Sequence, residues 1–432
     1  MIVRFSLLLS FYLIAASMRA DVTALRVVQS GDALGSMAMH DRGVQGRGEI
    51  IAIVDEGADL LSCAFAEENG SLPPFNTVTT AGDLASAAVD LARRKIVAYD
   101  LLFSCDQYPD YRFECDEPGD PWIWSSSRGT EIASIAAGDS SPFWIAGEGD
   151  GLAPAAKLVI QDTGYIPNRL PGPQCTLAGL CRRLSDLTPV LAQAYLQGAR
   201  IQSHQWTDRV WPDDRAELTR QLDAFVASHP DFVLVFEAGD AGETGSGSVA
   251  RPGTAKNVIQ AGGTREMNFD DSVVWEKSGR GAGPYGRIKP DLVIPSFVFS
   301  SSHAGAAGVS SCEGAYVAGT ALSAPLVAGA AALVRQYYRE GFYPTGSARA
   351  RDALEPSAAL VKATLIAAAR PVPYLVRNGV RIEAGPAPSY DQGFGMPVLA
   401  DVLSFDARAP RMRAVDGTPG LAAGETYEVS VR

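Results

Sequence analysis

The stretch Gly319-Thr-Ala-Leu-Ser-Ala-Pro-Leu-Val-Ala-Gly329 constrains the fold more than any other part of this 432-residue chain. Thr320 has the side chain of a helix cap, Pro325 is tolerated only near a first turn, and the apolar run that follows reaches Val334. A helix that is apolar on nearly every side is a buried one. The stretch therefore predicts a loop feeding a central core helix, with Ala321 where that helix begins. Earlier in the chain, Gly46-Arg-Gly-Glu-Ile-Ile-Ala-Ile-Val-Asp55 reads as a buried parallel strand ending in an acid, and Gly57 permits the tight turn out. Active sites of open α/β sheets lie outside the carboxyl ends of strands, which puts Asp55 where chemistry occurs. Residues 95–100 read as another strand, 127–138 as a helix with small residues on its packed face, 187–197 as an amphipathic helix and 356–366 as a second helix behind the core one.

An apolar content of 47% with 43 glycines suits a globular α/β protein, and a net charge of −12 argues against nucleic acid and anionic membrane as partners. The chain starts with Arg4, an apolar run from Phe5 to Ala16, and the small residues Ser17 and Ala20. That pattern predicts a secretory signal peptide over 1–20, because the run is shorter than the ~20 residues of a membrane span. A secreted or secretory-lumen location follows, and there the six cysteines read as disulfides. Cys105 with Cys115 and Cys175 with Cys181 are near enough to staple two loops, leaving Cys63 with Cys312, although six cysteines allow about 15 connectivities. No cysteine has zinc-site spacing, so no metal site is expected. At the other end Tyr427-Glu-Val-Ser-Val431 alternates like a strand. The expected organisation is a signal peptide over 1–20, a catalytic-type domain over 21–404, and the start of an incomplete β-domain over 405–432.

The segment around Ala321 resembles the nucleophile segment of the subtilases, the subtilisin-like serine peptidases, whose pattern is Gly-Thr-Ser-Met-Ala-(Ser/Thr/Ala)-Pro. Ala321 stands at its serine. Asp55-Glu-Gly57 is similar to the family's Asp-Thr-Gly element. Ser127-Arg-Gly-Thr-Glu-Ile-Ala-Ser-Ile-Ala-Ala-Gly138 resembles its His-Gly-Thr-His-Val-Ala-Gly segment, with Arg128 at the catalytic His and Glu131 at the second His. Residues 198–206 are similar to a strand that lines the substrate groove, with Thr207 in place of a glycine. Residues 232–242 resemble the oxyanion segment, with Asp240 at the Asn. Further landmarks at 151–160, 254–264, 286–291 and 391–397 keep the family's order. The resemblance implies a subtilisin-like three-layer α/β fold around a mostly parallel doubly wound sheet, followed by the start of the small β-domain. It also leaves calcium open as a cofactor, with none certain.

Acyl transfer needs a nucleophile, a base, an acid to orient it and donors for the oxyanion. Ala321 has no nucleophilic atom, and Arg128 stays protonated with no acceptor lone pair. Asp240 sets a negative charge where a donor belongs, so Asp55 alone matches. His40, His204, His229 and His303 fall in no base motif, and Ser323, two places on, points away from Ala321. The expectation is a secreted homologue that is not an enzyme and binds an extended peptide or protein. Its groove would be formed by Ser203, His204, Gln205 and Trp206 with Glu237, Ala238 and Gly239. Arg128 is expected to bridge Asp55, with Asp240 as a second partner. Two alternatives stay open: an active serine endopeptidase with a rearranged triad, and a structural module carrying a C-terminal β-domain.

Overall fold

Runs of β-branched and aliphatic residues give the sheet its strands. The structure, a computed structural model, describes residues 23–77, 87–102, 127–141, 150–163, 186–207, 215–265, 269–301, 314–406, 412–417 and 425–426. In chain order the strands are β1 (Ile50–Asp55), β2 (Phe75–Thr77), β3 (Ile96–Leu101), β4 (Lys157–Asp162), β5 (Ile201–His204), β6 (Val233–Glu237), β7 (Ile259–Arg265), β8 (Val273–Val274) and β9 (Leu292–Pro295). They continue with β10 (Phe297–Ser301), β11 (Gly314–Ala318), β12 (Ala369–Arg370), β13 (Tyr374–Arg377), β14 (Val380–Glu383) and β15 (Met396–Pro397). The helices are α1 (Ser127–Ala137), α2 (Thr188–Leu196), α3 (Arg215–Ser228), α4 (Thr320–Arg339) and α5 (Ala358–Ala367).

The main sheet runs β14-β13-β8-β7-β6-β5-β1-β4-β3-β2, with β9 also on β7. Its core from β2 to β7 is parallel, while β7–β8 and β13–β14 are antiparallel. After β1 the chain winds out to β2 and returns to β4 beside β1, then crosses to β5 on the other side. The winding direction reverses there, and a crevice opens at the carboxyl ends of strands flanking such a switch. Asp55, the last residue of β1, lies at that point.

Helix α4 fills the layer behind the sheet. It packs on β5, β6, β7 and β9 and on α1, and every residue from Leu322 to Tyr338 is buried. Gly329 permits the helix crossing: a Cβ there would lie 3.0 Å from the Ala136 carbonyl oxygen of α1. The far end is tied by polar atoms. Gln336 Oε1 accepts from the N–H groups of Gln45 and Gly46, both at 2.7 Å, and the buried Arg335 donates to Glu49 at 2.7 Å.

Two expectations for this helix are corrected. Thr320 does not cap it: Gly319 is the N-cap, without a side-chain cap bond, and Thr320 is the first helical residue. Pro325 lies inside the second turn, where it removes the bond its N–H would have made to the Ala321 carbonyl. The signal peptide, the Tyr427–Val431 strand, and Cys105, Cys115, Cys175, Cys181 and Cys312 lie outside the described residues. Cys63 is buried and disulfide-bonded.

Two glycines join α1 to the end of β1. Gly57 adopts φ +84°, and a Cβ at Gly129 would stand 1.5 Å from the Gly57 carbonyl oxygen. Backbone faces backbone here, so no side chain can move aside. Gly129→Ala is expected to lower stability by about 1–3 kcal/mol or more in urea unfolding, because an inserted methyl forces main-chain shifts. Gly417→Ala, where a Cβ would meet nothing within 4 Å, is expected to be neutral.

Candidate active-site cleft

The Gly57–Gly129 contact brings the first turn of α1 over the end of β1, and with it Arg128 over Asp55. Asp55 is 1% exposed. Its Oδ1 accepts the Glu56 N–H at 2.8 Å, and its Oδ2 is buried with no hydrogen-bond partner. Arg128 approaches loosely, with Nε 3.7 Å from Asp55 Oδ1 and Nη1 3.9 Å from Glu56 Oε1. Its one short bond, 2.6 Å, runs from Nη2 to the Gln205 carbonyl. Asp55 holds the Arg128 pKa above its ordinary value against the effect of burial, helped by Glu237, Glu56 and Asp240. Burial raises Asp55, opposed by Arg128. Burial, then Asp55, pushes Glu56 and Glu131 each up to about 7.

A second acid pair closes the other side. Asp240 Oδ1 accepts from the Thr320 N–H at 3.0 Å and from its hydroxyl at 2.7 Å. That carboxylate is the cap the helix start lacks, placed where the macrodipole favours negative charge. Glu237 Oε2 lies 2.9 Å from the same hydroxyl. A hydroxyl has one proton to give, so two carboxylates cannot both accept it. Burial, then Asp240, pushes Glu237 up to about 7, so its protonated form is favoured beside the Asp240 carboxylate.

The expected groove residues divide. Asp55, Arg128, Gln205, Glu237, Asp240 and Ala321 gather in one cleft, with Ala321 half-buried at the start of α4. Ser203, His204 and Trp206 instead turn into the core, with 0% exposure. His204 stacks on Phe236 at 4.2 Å and accepts from Trp206 Nε1 at 3.0 Å. Burial lowers it to about 3, so it is neutral and structural. Ser323 is fully buried with an unpartnered Oγ, out of reach of the cleft. Asp240 is exposed and bonded to Thr320, while the second carboxylate within ion-pair distance of Arg128 is Glu56. Sequence reasoning gave Glu56, Glu131 and Thr320 no role in the cleft; for the two glutamates the signal is an acid standing where the family pattern has Thr or His.

The main chain offers the rest of the cleft. The backbone N–H and C=O groups of Trp206 and Thr207, just past β5, have no hydrogen-bond partner among the described residues. Among those residues no group of three or more His, Cys, Asp or Glu is arranged to hold a metal ion, and no helix is long and apolar enough to cross a membrane. A separate cavity of about 1140 Å³ lies beside Glu243, Arg280, Tyr390 and Asp391, and none of the positions above lines it.

A model of the subtilase family matches residues 46–395. Two curated relatives come from Dictyostelium discoideum. The serine protease/ABC transporter B family protein tagD is 24% identical over 409 residues, covering 75% of this chain and 20% of that protein. The related tagA is 23% identical, covering 84% and 23%. This chain thus spans about a fifth of the length of the curated relatives it matches. Among solved structures, Clostridium perfringens CspB protease has a TM-score of 0.57 at 14% identity, covering 87% of this chain and 97% of that one. Fervidolysin from Fervidobacterium pennivorans has 0.54 at 16%, covering 90% and 45%. These likenesses show the subtilisin-like fold. The expectation that the chain is not an enzyme is corrected by these findings: the matched family is a peptidase family, and the curated relatives carry serine-protease names.

The acid–acid contact gives a pH test. Glu237 has a folded-state pKa raised above its unfolded value, so its contribution to stability is present at low pH and is lost as pH rises from about 4.5 through about 7. Glu237→Gln keeps the donor of the protonated acid. It is expected to match the native chain near pH 4.5 and to be the more stable by up to about 3 kcal/mol at pH 8.5 in urea unfolding. Equal pH slopes would show that Glu237 is not the titrating group.

Proposed function

Because this chain belongs to the subtilase family, we propose that its cleft holds an extended peptide segment of a protein by main-chain pairing with Trp206 and Thr207, just past the end of β5. The main-chain groups of Trp206 and Thr207, which have no hydrogen-bond partner among the described residues, support this reading. An extended peptide supplies the missing carbonyl and N–H groups in alternation, which is how strand addition gains affinity. The site lies at the sheet's topological switch, where α/β folds place ligands. Secretion, which the N-terminal pattern favours, would put such a cleft among extracellular or lumenal proteins.

The chemistry at three positions bears on hydrolysis. Arg128 has no lone pair to accept a proton, Ala321 has no nucleophilic atom, and the Asp240 carboxylate is a filled acceptor. Hydrolysis by this chain therefore draws its nucleophile and base from other residues than 321 and 128. In subtilisin, a member of the same family, loss of the serine or the histidine costs roughly 10⁶ in turnover.

Peptide binding is tested by fluorescence anisotropy with labelled extended peptides. Ala321→Phe, which fills the half-buried end of α4, is expected to weaken binding at least ~10-fold while leaving urea unfolding unchanged. Unchanged affinity in that variant would place the peptide elsewhere. Labelling by a fluorophosphonate probe is expected to rise well above that of the native chain in the combined Arg128→His/Asp240→Asn/Ala321→Ser variant. No gain in a folded variant would show that the cleft lacks the triad geometry.

A further inference from the structure

We propose that Asp100 fixes the tautomer of His204 through a line of buried hydrogen bonds and thereby positions the Trp206 main chain for a bound peptide. The inference rests on the peptide-binding reading above and adds positioning residues to that site.

The line starts at the cleft and runs across the sheet from β5 to β3. The Trp206 indole Nε1 donates to His204 Nδ1 at 3.0 Å, and His204 Nε2 lies 3.2 Å from Gln202 Oε1. Gln202 Nε2 donates to Gln161 Oε1 across β1, and Gln161 Nε2 donates to Asp100 Oδ2 at 3.3 Å. Trp206, His204, Gln202, Gln161 and Asp100 are each 0% exposed.

The two ends have opposite and fixed polarity, which settles every group between them. An indole has a donor and no acceptor, whereas an ionised carboxylate only accepts. Burial pushes Asp100 up to about 6, opposed first by the Gln197 hydrogen bond, so at pH 7.5 its carboxylate form prevails. Gln161 must then turn its NH2 to Asp100 and its oxygen to Gln202, and Gln202 repeats that arrangement toward His204. The Val190 carbonyl of α2 accepts from the same two NH2 groups at 3.0 and 3.4 Å. His204, neutral because burial lowers it to about 3, keeps its proton on Nε2 and a lone pair on Nδ1 for the indole. Bonds aligned in one direction strengthen one another.

The cleft end matters for what surrounds the indole. Trp206 and Thr207 carry main-chain groups with no hydrogen-bond partner among the described residues, and the Gln205 carbonyl before them accepts from Arg128. The indole–imidazole bond ties this stretch back to β5. Proton delivery to the cleft is not its task, since the indole can accept no proton.

The far end cannot adapt. Asp100 Oδ1 accepts from Asn76 at 3.0 Å and from Gln197 at 2.7 Å. Asn76 is itself held at both amide atoms by the Ala88 main chain, at 2.9 and 2.8 Å. An asparagine at position 100 must therefore turn its oxygen to Asn76 and its NH2 to Gln161. Either two donors meet there, or the whole line reverses, His204 moves its proton to Nδ1, and two donors meet at Trp206. Removing the indole removes the conflict.

The experiment uses the full chain, isotope-labelled for proton–nitrogen NMR of the His204 ring, with urea unfolding of three variants at pH 7.5. Native His204 is expected to be protonated at Nε2, and at Nδ1 in Asp100→Asn/Trp206→Phe. Asp100→Asn alone is expected to lower the urea midpoint and to weaken binding of fluorescein-labelled extended peptides at least ~10-fold. The same substitution made in Trp206→Phe is expected to lower the midpoint by about half as much or less. Protonation of native His204 at Nδ1 overturns the proposal, whatever the variants do. Equal midpoint losses in both backgrounds also overturn it, because a purely local role for Asp100 does not depend on residue 206. Unchanged peptide affinity in Asp100→Asn overturns the positioning role while leaving peptide binding in place. Failure of every peptide to bind the folded native chain overturns the peptide-binding reading and the positioning role with it, and the tautomer and midpoints, measured without peptide, tell that outcome apart.

Discussion

The approach of Gly129 to the Gly57 carbonyl sets the geometry on which the cleft depends. With no Cβ on either residue, the first turn of α1 sits against the turn that leaves β1. That single contact stacks residue 128 over residue 55, two positions 73 residues apart in sequence. Gly329 does the same for α4, letting it cross α1 beside the Ala136 carbonyl. The helix starts, and so the functional positions, are placed by main-chain contacts that admit little adjustment.

Burial then decides the chemistry. Helix α4 begins in a packed interior, and its free N–H groups need a partner. No residue next to it in sequence supplies one, so Asp240, from the loop after β6, caps it from outside. The cap brings a negative charge toward Glu237, which with burial pushes that acid up to about 7. Across the cleft, burial raises Asp55 against a loosely held Arg128, and Glu56 and Glu131 share the same field. Ionising all of these acids beside one guanidinium would cost more than the attraction returns. The Arg128 contacts to these acids are accordingly long, at 3.7 Å and 3.9 Å, rather than tight ion pairs.

How much of this is legible in the sequence follows from where each partner lies. The strands are readable because their apolar runs are local, and β1 ends at Asp55 as its pattern predicts. The core helix is readable for the same reason, since burial on all sides leaves an unbroken apolar run. Its start is not, because the cap comes from Asp240, 80 residues away, and no local signal records that. Pro325 sits a turn deeper than its sequence context suggests for a similar reason: tertiary packing holds the helix together across the missing bond. His204 and Trp206 sit on the strand expected to line the groove, yet that strand is central and buried on both sides. Their side chains fill the core, and only the backbone beyond them is free.

The acids at 56, 131 and 240 separate what the family determines from what this chain adds. Family membership fixes the fold and the peptidase class, and it says nothing about which atoms meet a ligand. What this chain adds at the cleft is carboxylate oxygens, an arginine bonded to a carbonyl, and main chain past β5 without a hydrogen-bond partner among the described residues. Asp55 Oδ2 and the main chain past β5 lie in the same cleft, each without a hydrogen-bond partner among the described residues.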